Sequence, residues 1–352
     1  MRQEIIKELI DIIAKPDISE RELLTQLRLV IEKPQTSATY NTVSLAQLYN
    51  EQVTSLLAGQ HKNKILRTGF RNLDEIIGGF FPGEFVVIGA RPSVGKTQLL
   101  INLALNISRI NPVLFFSFDL PDFMLVNRCI STLADIPLQH VLQPELATSK
   151  EKQQIADISK LLNTHNIYIN GGSVNNLSSF RQQCMDQVKE NGIKVIIVDT
   201  LQHVSLSRFR GNREQEISNF TRELKSIANE TGVVILASSQ LSRSVEIRKE
   251  SKIPVLSDLR DSGCIEQDAD KVIMMYRPEY YGITLDEMGE TTEGETHLQI
   301  AKNKYGNLGS AKLHMLSTKT GFVDIDDPYE GSKLFIPDFS FAAKRTEEIH
   351  KK

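Results

Sequence analysis

Tryptophan is absent from this chain of 352 residues, and cysteine is scarce. The three cysteines, Cys129, Cys184 and Cys264, are far apart and form no Cys-x-x-Cys pair. Disulfide frameworks and structural zinc sites need numerous or closely spaced cysteines, which argues against both as the basis of this fold. We expect reduced thiols in the hydrophobic core.

Long apolar runs are also missing. No run of about eighteen apolar residues is present that could span a bilayer. The polar start Met1-Arg2-Gln3-Glu4 does not lead into an apolar stretch with a cleavage site. These absences predict a cytoplasmic protein without a membrane partner.

A strong charge of either sign is lacking as well, because 41 basic and 44 acidic residues leave a net charge of -3. This balance argues against a surface coated throughout with lysine and arginine, which extensive phosphate binding requires. Local basic loops are still allowed, as in a ring with a charged central channel.

The order of patterns along the chain predicts one large domain with smaller additions. Residues 1–42 are expected to form a short helical segment, with a hairpin over residues 5–32 and then a polar linker. An amphipathic linker helix is expected in residues 43–64, the main domain in 65–327, and a polar, flexible tail in 328–352. The hairpin fits equally a cap over apolar surface and an oligomerising element.

Short β-branched and apolar runs alternate with helical stretches after residue 65. The predicted strands are Phe85–Ile88, Val113–Phe118, Ile167–Ile169, Val195–Val198, Val233–Ala237 and Lys271–Tyr276, with a terminal hairpin at Thr296–Lys302 and Ser310–Leu316. Strands separated by helices form mostly parallel sheets that are covered by helices. The sequence therefore predicts an α/β fold.

One segment has the pattern of a phosphate-binding P-loop. Between a predicted strand and a predicted helix it reads Ala90, Arg91, Pro92, Ser93, Val94, Gly95, Lys96 and Thr97. Backbone N–H groups of such a loop hold phosphates, the lysine reaches the β- and γ-phosphates, and the threonine hydroxyl binds Mg²⁺. Ala90 departs from the strict pattern, which has glycine, and an incidental glycine turn is the alternative. The strand, loop and helix in this order favour a site for ATP and Mg²⁺.

Polar residues end three predicted strands and therefore lie toward one edge of a parallel sheet. Asp199 is a candidate for the Mg²⁺ shell, Asp119 for orienting or deprotonating water, and Gln240 for sensing a γ-phosphate. Each has an ordinary alternative, namely a helix or turn cap for Asp199, a turn residue for Asp119 and a surface amide for Gln240. The nearby P-loop favours the metal interpretation of Asp199.

These motifs, in this order, resemble the C-terminal motor domain of the DnaB-type replicative helicases. The likeness runs from about residue 45 to residue 325. Besides the P-loop it includes Asn212–Glu216, Ser239–Arg243, Ser257–Arg260 and Ser262–Asp270. The two blocks between Ser257 and Asp270 distinguish this family from other RecA-type ATPases. The resemblance implies a RecA-like P-loop NTPase fold and a ring-forming ATP hydrolase that is a DNA helicase of 5′–3′ polarity.

The resemblance also implies roles for single residues. Lys96 and Thr97 would contact phosphates and Mg²⁺, Asp199 the metal-bound water, Gln240 the γ-phosphate, and Arg128 the nucleotide.

A separate loop containing Arg260, Asp261 and Gly263 resembles the family's contact with single-stranded DNA. Phosphate contacts carry no base sequence, so this binding would be sequence-tolerant.

Two departures from the family pattern concern catalysis. Asp119 stands where the family has a glutamate, and its shorter side chain predicts slower hydrolysis. Lys302-Asn303-Lys304 stands where the family places Lys-x-Arg to reach a neighbouring subunit's nucleotide, and lysine lacks arginine's planar fork. We still expect Lys302 and Lys304 to act on a neighbour's site.

A third departure lies at the N-terminus, where the family has a helical collar domain that engages primase. Only about forty residues precede the linker helix, too few for that domain. A helicase loader or primase is still a possible partner by resemblance, although the collar that would contact it is missing from the expected domains. The helix Leu45–Leu57 matches the segment that packs on an adjacent motor domain. The histidines His140, His165 and His203 share no ligand spacing and are interpreted as structural or surface residues.

Two functions follow from these patterns. The first is an ATP-dependent DNA helicase or translocase, a homo-oligomer and by resemblance a hexamer, that grips single-stranded DNA in a central channel. The alternative is an ATP-gated ring that binds or loads nucleic acid with weak or no unwinding. The departures at Asp119 and Lys304 and the short N-terminal segment favour that alternative.

Overall fold

A computed structural model describes most of the chain after residue 43. The described residues are 44–57, 65–171, 176–204, 213–248, 251–259, 262–316, 318 and 320–325. The predicted helical hairpin, the polar linker and the tail beyond residue 327 lie outside them. The chain divides into two compact units, Met1–Gln60 and His61–Lys352. In the first, the amphipathic pattern correctly predicted helix α1, Leu45–Leu57.

Nine strands form one sheet within the described part of the second unit. They are β1 Phe85–Ala90, β2 Val113–Ser117, β3 Ile167–Asn170, β4 Val195–Asp199, β5 Val234–Gln240, β6 Lys271–Tyr276, β7 Glu295–Asn303, β8 Gly309–Met315 and β9 Phe322–Asp324. Their order across the sheet is β3-β2-β4-β5-β1-β6-β7-β8-β9. The eight strands predicted from the sequence are confirmed; β9, which has only three residues, carries too short a pattern to be predicted.

The sheet has a parallel part and an antiparallel part. Strands β3, β2, β4, β5, β1 and β6 run parallel to one another. From β6 onward each neighbour is antiparallel. The carboxyl-terminal ends of the six parallel strands therefore share one edge of the sheet, which is where such sheets bind ligands.

The described helices of the second unit are distributed along the chain between the strands. They are α2 Arg71–Ile77, α3 Lys96–Ser108, α4 Asp122–Ala134, α5 Leu138–Leu142, α6 Ser149–Leu162, α7 Leu177–Asn191, α8 Arg213–Thr231, α9 Ser244–Ile247 and α10 Ser262–Asp268. None of the helices in the described ranges is both long and apolar enough to cross a bilayer.

Two cores lie on opposite faces of the parallel strands because alternate residues of a strand point in opposite directions. In β1, Val86 and Ile88 pack in a core with α2, α3 and α4. Phe85 and Val87 pack in the other core, with α7, α8 and α10. Helices on both faces explain why the inner strands are continuous apolar runs, buried along their whole length.

The expectation of buried thiols is correct for two of the three cysteines. Cys129 and Cys184 are buried, and burial raises the pKa of each thiol to about 12. Cys264 is only half-buried and packs against the edge of the second core. This thiol lies in the seven-residue helix α10, where Ile265 fills the core position instead.

Candidate nucleotide site

The P-loop joins the end of β1 to the start of α3. Pro92 and Ser93 form the exposed tip, and Ser93 has a φ of 64°. Gly95 precedes α3 with a φ of 116°, a conformation that side-chain-bearing residues rarely adopt. A Cβ on Gly95 would lie 3.2 Å from the Phe322 ring and 3.3 Å from the Met315 methyl group. The backbone conformation therefore favours glycine here, and a Cβ would in addition require Phe322 and Met315 to move slightly.

Ala90, the departure from the strict P-loop pattern, lies in the sheet rather than in the loop. It is the last residue of β1, pairs with Gln240 of β5, and is fully buried in the core. Its methyl group packs against apolar neighbours. Alanine in place of glycine at this position therefore adds a methyl group to the hydrophobic core and does not alter the phosphate-binding loop.

Lys96 bends back over its own loop. Its Nζ donates to the carbonyl oxygens of Ala90 at 2.8 Å and Arg91 at 3.0 Å. The residue is only 9% exposed, and burial lowers the pKa of its ammonium to about 8, against the opposing effect of Asp199. A buried cation held by carbonyl dipoles is well placed to attract an anion.

Thr97 and Asp199 come from separate motifs and meet beside Lys96. The Thr97 hydroxyl donates to Oδ2 of Asp199 at 2.7 Å. The Ser238 hydroxyl, on β5, donates to Oδ1 of the same carboxylate. Asp199 is 1% exposed, and burial raises its pKa above the usual range. The predicted convergence of these two residues at one edge of the sheet is present in the structure.

Gln240 lies at the same edge, with its backbone bound by a side chain that the sequence analysis did not single out. Oε1 of Gln202 accepts from the Gln240 N–H at 2.9 Å and from the Thr200 hydroxyl at 3.1 Å. Nε2 of Gln202 donates to the Ser239 hydroxyl at 3.0 Å. Its carbonyl oxygen accepts from Arg213 at 2.8 Å. Gln202 therefore joins the ends of β4 and β5 to the start of α8.

Asp119 follows β2 and is paired with a histidine. Nδ1 of His203 lies 2.9 Å from Oδ1 of Asp119. Both side chains are partly open to solvent, at 45% for Asp119 and 41% for His203. The interpretation of His203 as a residue without a site role did not foresee this contact, because 84 positions of chain separate it from Asp119.

Two other P-loop side chains, those of Arg91 and Val94, are directed away from the phosphate position. The Arg91 guanidinium donates to Glu246 and to the Leu241 carbonyl oxygen, each at 2.7 Å. Val94 is buried in the core, and its carbonyl oxygen accepts from Arg277 at 3.2 Å. Arg91 and Val94 thus offer a ligand their backbone groups and fasten the loop through their side chains.

Arg128 lies in the middle of α4, the helix that follows Asp119. Its Nε atom is buried and has no hydrogen-bond partner among the described residues. A buried guanidinium N–H without a partner costs free energy, which an anionic or carbonyl ligand would recover.

Lys302 and Lys304 lie at the opposite edge of the sheet from their own P-loop. Strand β7 runs antiparallel to β6, so that Asn303 pairs with Lys271, the first residue of β6. The five steps from there to Tyr276 span roughly 17 Å at about 3.3 Å per residue. Lys302 donates to the Glu266 carbonyl oxygen at 2.6 Å.

The Lys304 side chain is largely exposed to solvent. It is 56% exposed, and Nζ lies 3.5 Å from Oδ1 of Asp270. The backbone N–H of Lys304 also donates to the Asp270 carbonyl oxygen at 2.9 Å. Lys304 is therefore held at its base while its ammonium faces solvent.

The predicted DNA-contacting loop is described only in part. Arg260 and Asp261 lie outside the described residues. Gly263 is exposed in α10, and a Cβ there would meet no described atom within 4 Å. On the other side of the gap, Leu259 forms a β-bridge with Leu241, directly after Gln240. The loop thus begins beside the end of β5.

Comparisons with known proteins give the family. A model of the DnaB-like helicase C-terminal domain matches residues 66–324. The replicative DNA helicase DnaB of Leifsonia xyli subsp. xyli is 32% identical over 288 residues, covering 80% of this chain and 62% of the relative. The replicative DNA helicase DnaC of Bacillus subtilis is 35% identical over 268 residues, covering 75% of this chain and 57% of the relative. The chain thus spans about three-fifths of the length of these relatives.

Solved structures agree with this assignment. One solved ATPase domain superposes with a TM-score of 0.73 at 28% identity, covering 80% of this chain and 99% of that domain. A DnaB-like replicative helicase, described with its interactions with primase, superposes with a TM-score of 0.71 at 26% identity, covering 92% and 76%. The predicted RecA-like α/β fold is confirmed. Because the family model covers more than half of the chain, the protein belongs to the DnaB-like helicases.

Proposed function

We propose that this protein is an ATP-driven, ring-forming DNA helicase that hydrolyses ATP with Mg²⁺ between subunits. The observation that carries the proposal is the meeting of Thr97 and Asp199 at 2.7 Å beside the buried Lys96. A lysine held by carbonyl oxygens, a hydroxyl and a carboxylate at the mouth of a P-loop match the needs of a nucleotide triphosphate with its metal ion.

Phosphate binding would use Lys96 and the loop backbone. The Lys96 ammonium exchanges its two carbonyl partners for phosphate oxygens, and a nearby anion favours its charged form. The N–H groups at the start of α3 face the same position and carry the positive end of the helix dipole. Arg128 is a candidate for a further nucleotide contact.

Thr97 and Asp199 would hold Mg²⁺. A hydroxyl and a carboxylate are oxygen ligands of the kind this ion prefers, and its remaining positions are usually filled by water and by the phosphate oxygens of the nucleotide. When bound, Mg²⁺ neutralises charge that develops on the phosphate oxygens. Among the described residues, no cluster of three or more His, Cys, Asp or Glu side chains is suited to a metal, so that the proposed Mg²⁺ site has one carboxylate and one hydroxyl from the protein.

Asp119 is the proposed base for the attacking water, and Gln240 the proposed γ-phosphate sensor. Asp119 is near enough for its charge to act on the pKa of both Lys96 and Asp199. Gln240 ends β5, next to the strand that leads into the P-loop. Each lies at the carboxyl end of a parallel strand, so both face the ligand edge of the sheet.

Lys302 and Lys304 would complete the site of another copy. They lie at the sheet edge opposite to their own P-loop, and the exposed Lys304 ammonium faces outward. A cation at that distance cannot reach a phosphate bound by the same subunit. We therefore propose a homo-oligomeric ring, a hexamer by family, in which each Lys304 stabilises charge on a neighbour's nucleotide.

Arg260, Asp261 and Gly263 are the proposed contacts with single-stranded DNA. The bridge between Leu241 and Leu259 ties the start of this loop to the strand that ends at Gln240. A change at the γ-phosphate would in this way reach the DNA-holding loop through one strand. A primase or helicase loader is a further candidate partner of the ring.

Steady-state ATP hydrolysis tests the proposal. The purified chain should hydrolyse ATP with Mg²⁺, faster with single-stranded DNA, and Lys96→Ala should abolish both rates. Unwinding of a forked duplex should then depend on ATP. ATP binding without hydrolysis, with or without DNA, would instead indicate a nucleotide-gated binding ring.

A further inference from the structure

Asp119 and His203 meet at the ends of two neighbouring strands. Strands β2 and β4 pair directly, with Ser117 opposite Asp199. The segments that leave these strands are therefore side by side, and Nδ1 of His203 comes to 2.9 Å from Oδ1 of Asp119. The contact lies at the same edge as Lys96 and the Thr97–Asp199 pair.

The Asp119 side of the contact is held by a closed turn. The Ser117 hydroxyl donates to the Leu120 carbonyl oxygen at 2.6 Å and accepts from the Leu120 N–H at 3.3 Å. The Phe118 N–H donates to the Asp199 carbonyl oxygen at 2.7 Å. The backbone around Asp119 is thus fixed on both sides, and its side chain contacts His203.

The His203 side is equally well anchored. His203 ends a 3-10 turn, Leu201–His203, and its N–H donates to the Thr200 carbonyl oxygen at 3.0 Å. Leu201 and Val204 are both buried in the core, at 0% and 2% exposure. Because Leu201 and Val204 anchor the backbone close to His203, the His203 side chain is held where it reaches the site.

Stability alone gives a poor account of the pair. Both side chains are more than a third exposed, and pairs in contact with water contribute little to folding. In a hydrolytic site the same contact restrains a carboxylate that would otherwise sample several rotamers. The restrained group here is an aspartate, whose carboxylate lies one methylene closer to the backbone than a glutamate's and therefore has less reach toward the water.

We propose that His203 is a positioning residue for Asp119, holding one carboxylate oxygen so that the other faces the attacking water. This rests on the proposed function. As the water oxygen bonds to the γ-phosphorus, the bond from that phosphorus to the β–γ bridging oxygen breaks and ADP leaves. The water proton passes to the free oxygen of Asp119. His203 touches neither nucleotide nor water and acts through Asp119 alone.

The chain contains a matched control pair. Nδ1 of His140 lies 2.9 Å from Oε1 of Glu151, the same atom type at the same distance. This pair joins α5 to α6, and no residue of the nucleotide site lies in either helix. His140→Ala therefore removes an equivalent contact without touching the site.

The test compares kcat and KM for ATP in His203→Ala, His203→Asn and His140→Ala, with saturating single-stranded DNA. We expect His203→Ala to lower kcat roughly 10- to 100-fold, by analogy with the loss of residues that orient metal ligands. KM should change little, because ground-state binding is untouched. Asparagine places an amide N–H near the position of Nδ1, so His203→Asn should restore most of the rate. His140→Ala should match the wild-type protein.

The same substitution in a second variant tests whether His203 acts through Asp119. In Asp119→Glu, whose carboxylate reaches further unaided, His203→Ala should cost less than in the wild-type chain, which a double-mutant cycle measures. Equal kcat in wild-type and His203→Ala would overturn the proposal, as would a loss that His203→Asn does not restore. A wild-type protein without any hydrolysis would overturn both this inference and the proposed function, whereas a hydrolysing protein indifferent to His203 would overturn the inference alone.

Discussion

The Lys96 ammonium lies 2.8 Å from the carbonyl oxygen of Ala90, six residues earlier in the same loop. The P-loop lysine is therefore bonded to its own backbone, at 9% exposure and, among the described residues, without a carboxylate at hydrogen-bond distance. A phosphate oxygen would give this poorly solvated positive charge a stronger partner.

Replacing Lys96 with methionine should stabilise the nucleotide-free protein relative to wild type at pH 7, while abolishing hydrolysis. The folded pKa of about 8 lies below the ordinary value of 10.5, so the unfolded chain binds more protons between these values. The penalty for burying the charge is full below pH 8 and disappears as pH rises through 10.5. It corresponds to roughly 3 kcal/mol, before the loss of two hydrogen bonds is subtracted.

Urea unfolding of Lys96→Met and wild type at pH 7 and pH 10, without Mg²⁺, measures this change. The stability difference should shift in favour of the wild-type protein at the higher pH. Lys152→Met, at an exposed position of α6, is the control. A difference that is the same at both pH values would contradict the burial of charge at Lys96.

Substituting Asp199 with asparagine should remove metal-dependent turnover and leave folding intact. The amide keeps an oxygen for the Thr97 or the Ser238 hydroxyl but loses the charge that attracts Mg²⁺. We expect kcat to fall at least about 100-fold, in the range seen when a charge-stabilising group is removed. Binding of a fluorescent ATP analogue in EDTA should be nearly unchanged. Asp186→Asn, on the exposed side of α7, controls for charge.

Gly95→Ala should both destabilise the fold and weaken nucleotide binding at the P-loop. The φ of 116° disfavours any side chain, and the new Cβ would press on Phe322 and Met315. Thermal unfolding should show a loss of about 1–3 kcal/mol. Gly192→Ala is a suitable comparison, because its φ is 63° and no described atom lies within 4 Å of the new Cβ. That variant should lose less stability and bind nucleotide normally.

Gln202→Leu should uncouple DNA binding from hydrolysis. The substitution leaves the Gln240 N–H and the Ser239 hydroxyl without their partner, at a cost of about 1–3 kcal/mol for each group that stays unsatisfied, while the Thr200 hydroxyl keeps the Ser238 carbonyl oxygen. We expect basal hydrolysis to decline modestly and stimulation by single-stranded DNA to fall much further. Gln202→Glu retains the acceptor for Gln240 and Thr200 and should keep part of the stimulation. Equal losses in both variants would argue against this connection.

Mixing two inactive variants should restore activity if Lys304 serves a neighbouring subunit. Lys96→Ala supplies an intact Lys304, and Lys304→Ala supplies an intact P-loop. In a randomly mixed equimolar ring about one interface in four receives both. ATP hydrolysis of the mixture should exceed the mean of the separate variants. A mixture no faster than that mean would mean that both lysines act within one subunit or that subunits do not exchange.

The sequence was sufficient to predict the helices and strands that have a regular pattern of apolar residues. Continuous apolar runs predicted the inner strands because both faces of a parallel strand are buried. The P-loop predicted the position of Lys96 and Thr97 because strand, loop and helix are adjacent in the chain. Asp199 was predicted as their neighbour because parallel strands end at one edge.

Contacts between distant side chains were not predictable in this way. His203 and Asp119 meet only because β2 and β4 are neighbours, and strand order leaves no mark on local periodicity. In the sequence Gln202 has no feature that distinguishes it from other polar residues, and only the structure shows its hydrogen bonds to Gln240 and Ser239. Arg91 belongs to a phosphate-binding motif, yet its guanidinium fastens the loop to Glu246 and Leu241.

The reversal of strand direction between β6 and β7 constrains how copies of the chain can associate. If Lys304 acts on a neighbour's nucleotide, as proposed, each subunit has a donor edge with Lys304 and an acceptor edge with the P-loop, at opposite ends of the strands. A twofold dimer would join like edges and leave every acceptor without its donor. Only head-to-tail association, with the same rotation at each step, supplies all sites, so that this rotation alone determines whether the array closes into a ring or continues as a helix.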